Sequence, residues 1–151
     1  MEHKKIGAGI IAIDKKTGDI LLGRRSFQSP SPNTWSPFGG TFEQSKDSSP
    51  EETAKREFKE ETGSDALNVI SKSPFYVQDS SNLTFYSYLG ITDGKIPIHI
   101  DKEHITYGWY PLDYLPSNLH PGFKELIDHK KSEIESIIKK VKEDSDLTDS
   151  I

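Results

Sequence analysis

A chain of 151 residues with 28% charged and 32% hydrophobic residues fits one folded domain with a buried core, not a disordered polymer. Its formal net charge of −5 argues against a nucleic-acid-binding surface, while leaving room for a local basic pocket. Without cysteine there is no disulfide framework or thiolate metal site; no apolar run reaches membrane-spanning length and no signal-peptide core follows Met1-Glu2-His3-Lys4-Lys5, so a cytoplasmic protein without membrane contact is expected.

Ile6 to Ile13, rich in Ile, Ala and Gly, reads as a buried strand. Lys15-Lys16-Thr17-Gly18-Asp19 turns the chain into a second strand opening with Ile20-Leu21-Leu22, a hairpin, and Gly23-Arg24-Arg25 follows it. Ser26 to Thr34, with Pro30, Pro32 and Asn33, is a loop leading to Trp35. At Gly39-Gly40 no Cβ intervenes, so the backbone can approach a metal or a phosphate closely. Ser49-Pro50-Glu51-Glu52 then signals a helix start: an N-cap serine, a proline at the first helical position and a capping-box glutamate. Ala54 and Phe58 supply a short apolar face and Gly63 sits where a left-handed cap belongs, which predicts a helix from Pro50 to Thr62.

Glu57, Glu60 and Glu61 on that helix follow i, i+3, i+4 spacing and share one face. Like charges so placed repel by about 0.2–0.5 kcal/mol per pair, so the three are either fully solvated or used on a cation. Oxygen ligands one helical turn apart suit Mg²⁺, and Arg56, just before them, can pin a neighbouring glutamate through its planar fork of donors.

Further along, Phe75-Tyr76-Val77 and Thr84 to Ile91 read as strands joined through Asp79-Ser80-Ser81-Asn82. The rings at 85, 86 and 88 serve mainly sheet packing, with one of them open to line a base pocket. Ile96-Pro97-Ile98-His99-Ile100 reads as an edge strand, since proline cannot donate within a central ladder. From Phe123, the spacing of Leu126, Ile127, Ile134, Ile137, Ile138 and Val141 predicts a long amphipathic helix packed on its own sheet. Coiled-coil pairing, and with it a homodimer, stays open. A single domain over residues 1–142 is expected, followed by a polar, frayed tail over 143–151.

The segment GGTFEQSKDSSPEETAKREFKEETGS resembles the Nudix box, G-x5-E-x7-R-E-U-x-E-E-x-G-U, with U a bulky apolar residue. Arg56, Glu57, Phe58, Glu60, Glu61 and Gly63 match its right half. The left half departs: the family's first glutamate aligns with Ser48, and the stretch from Gly40 to Ser48 is two residues longer than the pattern. That glutamate is lost or replaced nearby by Asp47, and Ser64 stands at the last apolar position. Trp35-Ser36-Pro37-Phe38-Gly39-Gly40 is similar to the family's Trp-x-x-x-Gly-Gly approach to the box. Asp101-Lys102-Glu103-His104, then Gly108-Trp109-Tyr110-Pro111-Leu112 and Leu115-Pro116, is similar to its downstream acidic loop, Trp-aromatic strand and Leu-Pro turn.

This resemblance implies an α/β (α+β) fold, an α/β/α sandwich around a mixed β-sheet. It implies Mg²⁺, with Mn²⁺ as a substitute, held by Glu57, Glu60, Glu61 and the Gly39 carbonyl, and Arg56 orienting a glutamate. Glu103 would point into the site as a further ligand or as the general base, a role for which Glu57 is the rival; His104 reads as structural. Gly40 and Glu43 are expected substrate contacts, as are Arg24 and Arg25 if the hairpin register directs one inward, a solvated arginine pair being the alternative. The implied reaction is hydrolysis of the diphosphate in a nucleoside diphosphate linked to another moiety, of ADP-ribose, dinucleoside polyphosphate or flavin dinucleotide type, releasing a mononucleotide. Gln78, Asp79 and Ser80, beyond the box, match neither the proline associated with ADP-ribose hydrolases nor the tyrosine associated with dinucleoside-polyphosphate hydrolases. A nucleoside triphosphate pyrophosphatase, acting on oxidised triphosphates among others, is the alternative enzyme. A nucleotide-binding module without catalysis is the alternative of another class.

Overall fold

The computed structural model describes residues 4–71 and 73–149. The first three residues of the predicted start and the last two of the predicted tail lie outside the described residues. β1 (Lys5–Asp14) is apolar almost throughout because helices cover both its faces. Side chains alternate along a strand, so Ala8, Ile10 and Ala12 share a core with Ala54 and Phe58 of α1 (Pro50–Thr62). Ile11 and Ile13 share the opposite core with Phe123, Leu126, Ile127 and Ile134 of α2 (Pro121–Asp149).

Between the helices lies a mixed, eight-stranded sheet, the expected α/β/α sandwich. β2 (Ile20–Arg25) returns antiparallel to β1 through the turn at Gly18, whose φ of 81° only glycine adopts cheaply. β3 (Trp35–Ser36) pairs with β2, and β4 (Phe38–Thr41) lies antiparallel against the first half of β1. β5 (Asn68–Val69) and β6 (Tyr76–Asp79) flank β7 (Leu83–Thr92), which runs parallel to β1 from Lys5↔Leu83 to Asp14↔Thr92. β8 (His104–Tyr110) pairs with β2, and a 3-10 turn at Leu112–Tyr114 follows it.

The bounds of α1 agree with its sequence signals. The Ser49 side chain accepts from the Glu52 N–H at 3.2 Å, and Gly63, at φ 75°, donates its N–H to the Lys59 carbonyl at 2.8 Å.

Two expectations need correction. Residues 96–100 form no strand: Ile98 is buried in the α1-side core, the His99 N–H meets the Thr62 carbonyl at 2.7 Å, and the Asp101 N–H meets the Glu61 carbonyl at 3.2 Å. The free carbonyls at the C-terminal end of α1 take donors that a strand would have spent on a neighbour. The second is the tail, because α2 continues to Asp149 and buries Ser145. Among the described residues, no helix is long and apolar enough to cross a membrane.

Candidate active site

The site is built where the outer face of α1 meets β4. Gly40 makes that contact feasible: a Cβ there would stand 2.3 Å from the Glu57 carboxyl carbon, so the carboxylate rests directly on the strand backbone. Gly39 answers a different demand, since its Cβ would fall 2.5 Å from the Ala8 carbonyl oxygen where β4 crosses β1.

Arg56 is the anchor. Its Nε and Nη2 donate to the two Asp47 oxygens at 2.8 and 2.9 Å, and its Nη1 donates to Glu57 at 3.0 Å and to Glu60 at 3.1 Å. Nη2 also reaches the Thr41 carbonyl at 3.0 Å, which ties α1 to the end of β4. Asp47 is fully engaged, accepting from the Thr53 hydroxyl at 2.9 Å and the Glu43 N–H at 3.0 Å. The Arg56 donors hold its carboxyl well below the usual range, with burial opposing them. Ser48, which aligns with the family's glutamate, is exposed; Asp47 meets Arg56 instead.

The three helix carboxylates differ in setting. Glu60 is half exposed and held by Arg56. Glu57 is mostly covered; burial raises its pKa while Arg56 pulls it back. Glu61 is 3% exposed, and burial, aided by the charges of Glu57, Asp101 and Glu103, pushes it up to about 9. Its Oε1 is buried and accepts no hydrogen bond among the described residues, the Glu57 carboxyl lies close enough to share a proton with Glu61, and its Oε2 lies 3.4 Å from His104 Nε2. The other ring nitrogen of His104 is 2.9 Å from Asp101 Oδ1. Ligand atoms of Glu61, Asp101 and His104 all lie within 4.8 Å of one another. A buried carboxyl oxygen left open among neighbouring carboxylates fits a divalent cation, which would satisfy what the protein leaves open.

Glu103 is solvent-exposed, and its charge acts on both Glu57 and Glu61. Its carbonyl accepts from the Ser26 N–H and the Ser29 hydroxyl, each at 2.9 Å, so the loop after β2 holds it in place. Arg25 feels the charges of Glu61 and Glu103, although burial outweighs them and lowers its pKa, and its Nε donates to the Pro30 carbonyl at 2.6 Å. With Gln28, Ser29, Pro30, Lys102 and Glu103 it lines a cleft of about 200 Å³. Arg24 precedes the register shift of β2 and leaves its Nε buried without a partner among the described residues. The Glu43 carboxylate lies apart, paired with Lys46 at 3.1 Å. Gln78 is tied to α2 through the Gly122 carbonyl at 2.9 Å. Asp101 and His104 belong to the acidic loop that the sequence singles out for Glu103, with His104 structural; their pairing had only its i, i+3 spacing as a signal.

In class, this is a mixed-sheet sandwich whose site is an arginine-anchored carboxylate helix set against a di-glycine strand. The chain belongs to the Nudix family, the NUDIX domain matching residues 3–130, and is a Nudix pyrophosphohydrolase. It is similar in fold to the Nudix hydrolase RenU of M. smegmatis, at TM-score 0.71 and 20% identity over 89% of this chain and 87% of that one. The NUDIX domain of Shewanella oneidensis NrtR, complexed with ADP ribose, superposes at TM-score 0.66 and 17% identity over 89% and 90% of the two chains. A C. elegans Ap4A hydrolase does so at 0.60 and 19% over 95% and 98%. No curated protein matches the chain.

Proposed function

We propose that the enzyme is a Mg²⁺-dependent hydrolase, accepting Mn²⁺ in its place, that cleaves the diphosphate of a nucleoside diphosphate linked to another moiety and releases a nucleoside monophosphate. The observation that carries this reading is the buried Oε1 of Glu61, which accepts no hydrogen bond among the described residues, beside the Arg56-anchored Glu57. ADP-ribose and dinucleoside polyphosphates are the substrate types favoured, in keeping with the ligand of NrtR and the name of the Ap4A hydrolase.

Glu57, Glu60 and Glu61, with the Gly39 carbonyl, would hold the cation, whose chemistry when bound is to neutralise diphosphate oxygens and make a water more acidic. Arg56 fixes Glu57 and Glu60 in place before substrate arrives, a preorganisation that spares reorientation during reaction. Arg25 and Lys102 offer positive charge to the substrate's phosphates. Glu103 serves as general base, because Glu57 is engaged by Arg56 whereas Glu103 is exposed and free to take a proton from water.

The test is a panel of ADP-ribose, diadenosine polyphosphates, flavin dinucleotide and nucleoside triphosphates, with products identified by mass in heavy-oxygen water. Turnover confined to triphosphates would point to the alternative pyrophosphatase, and binding without any turnover to a nucleotide-binding module. Glu103→Gln should lower kcat by about 100-fold or more at unchanged cation affinity, as expected for a lost general base. Glu57→Gln should weaken cation binding itself; the reverse pattern would exchange the two roles.

A further inference from the structure

His104 is a buried imidazole that no step above uses. Its side chain is 4% exposed, and the sequence alone gives it no task beyond packing. The surroundings are nevertheless specific. The ring lies against Phe38 with centroids 4.7 Å apart, which fixes its plane. Gly23 leaves the space it occupies, since a Cβ there would stand 2.8 Å from the ring's Cδ2 and 2.7 Å from Phe38. Asp101 takes one ring nitrogen at 2.9 Å and Glu61 stands 3.4 Å from the other. Asp101 is itself fixed through its backbone, its N–H on the Glu61 carbonyl and its own carbonyl accepting from the His104 N–H at 3.3 Å. The result is a chain of three polar groups, Asp101–His104–Glu61, running from the loop before β8 through its first residue to the end of α1.

The last torsion of a glutamate is broad, so packing of its stem alone does not fix the plane in which Glu61 presents its oxygens. We propose that His104, itself held by Asp101, is a positioning residue for Glu61: it fixes the carboxylate through Oε2 and leaves Oε1 presented to the divalent cation. Supporting carboxylate–imidazole pairs of this kind hold metal-binding side chains in one orientation, and their loss commonly costs about 10–100-fold in metal affinity. The segment 96–101, laid as coil across the end of α1, exists in this arrangement to deliver Asp101 and His104 to Glu61.

The proposal rests on the cation-binding reading of Glu61, and the test separates the two. Mn²⁺ binding to the metal-free protein is measured by electron paramagnetic resonance, with folding followed by thermal melting. His104→Phe keeps the packing on Phe38 but has no ring donor, and should weaken Mn²⁺ by about 10–100-fold. Asp101→Ala should weaken it in the same direction but less, and His104→Gln, whose amide can still reach Glu61, should recover part of the loss. In a Glu61→Gln background, His104→Phe should cause no further loss, the signature of residues acting through one another. An unchanged affinity in folded His104→Phe, or an equal further loss in the Glu61→Gln background, overturns the proposal. Should His104→Phe not fold, Asp101→Ala decides, and wild-type affinity there overturns it as well. Glu61→Gln binding Mn²⁺ like the wild type would instead remove the cation reading.

Discussion

Replacing Asp47 by alanine tests the least family-like part of the site. Asp47 receives two charge-assisted bonds from Arg56 at 2.8 and 2.9 Å, one from Thr53 at 2.9 Å and one from the Glu43 N–H at 3.0 Å, with a side chain 1% exposed. Stranding one partner of a fully buried ion pair costs about 3–5 kcal/mol. Arg56 would not be wholly stranded, because Glu57, Glu60 and the Thr41 carbonyl remain and its side chain is 17% exposed. Thr53 also keeps the Ser49 carbonyl at 3.3 Å. The guanidinium keeps some contact with water, which lowers the figure again, so the expected loss is about 2–3 kcal/mol. For a chain of this size that is a fall in Tm of about 4–12 °C. Urea unfolding with an unchanged m-value would measure it. The gap from wild type should close as pH falls from about 5 toward 2: the folded pKa of Asp47 lies below its unfolded value of 3.8, so its stabilisation is present above that value and lost as the carboxylate protonates. Ser48→Ala, at the exposed position that aligns with the family's glutamate, should change stability by no more than about 0.5 kcal/mol. A loss under about 1 kcal/mol for Asp47→Ala, or a larger one for Ser48→Ala, would refute the assignment of Asp47 as the Arg56 anchor.

Gly40→Ala places a methyl group 2.3 Å from the Glu57 carboxyl carbon and should weaken Mn²⁺ binding by about tenfold or more while the fold survives, read by titration beside a thermal melt. Glu61 makes the metal-free protein less stable as pH rises: the folded carboxyl keeps its proton up to about 9 whereas the unfolded one loses it near 4.5, a slope of at most about 1.4 kcal/mol per pH unit between the two. Thermal melts from pH 5 to 8.5 should show that slope in the wild type and a shallower one in Glu61→Gln; Mg²⁺, which displaces the proton, should raise the wild-type Tm more at pH 8.5 than at pH 6. A metal-free wild type that gains stability relative to Glu61→Gln as pH rises contradicts the raised pKa.

What could be read from the sequence follows how local each cause is. The ends of α1 were legible because Ser49, Pro50 and Gly63 act within a turn of themselves, and the Glu57, Glu60 and Glu61 face follows from helical spacing alone. Arg25 could be named only with Arg24, since the choice depends on the path of β2, which shifts register between them against β8. Residues 96–100 alternate in polarity as an edge strand does, but the competing partner, the open carbonyls of Glu61 and Thr62, lies more than thirty residues away in sequence. The same crossing hid Asp101 and His104: their role depends on Glu61 lying beneath them and on Gly23 leaving the ring room. The inserted loop shows how Asp47, named from the sequence as the nearby replacement, comes to serve. Amides of Lys46 and Asp47 both bond the Glu43 carbonyl, curling the longer loop so that Asp47, one residue ahead of the aligned position, is the side chain aimed at Arg56. A shorter acid placed by an extra turn therefore reaches Arg56, and the arginine keeps its anchor although Ser48 stands at the aligned position.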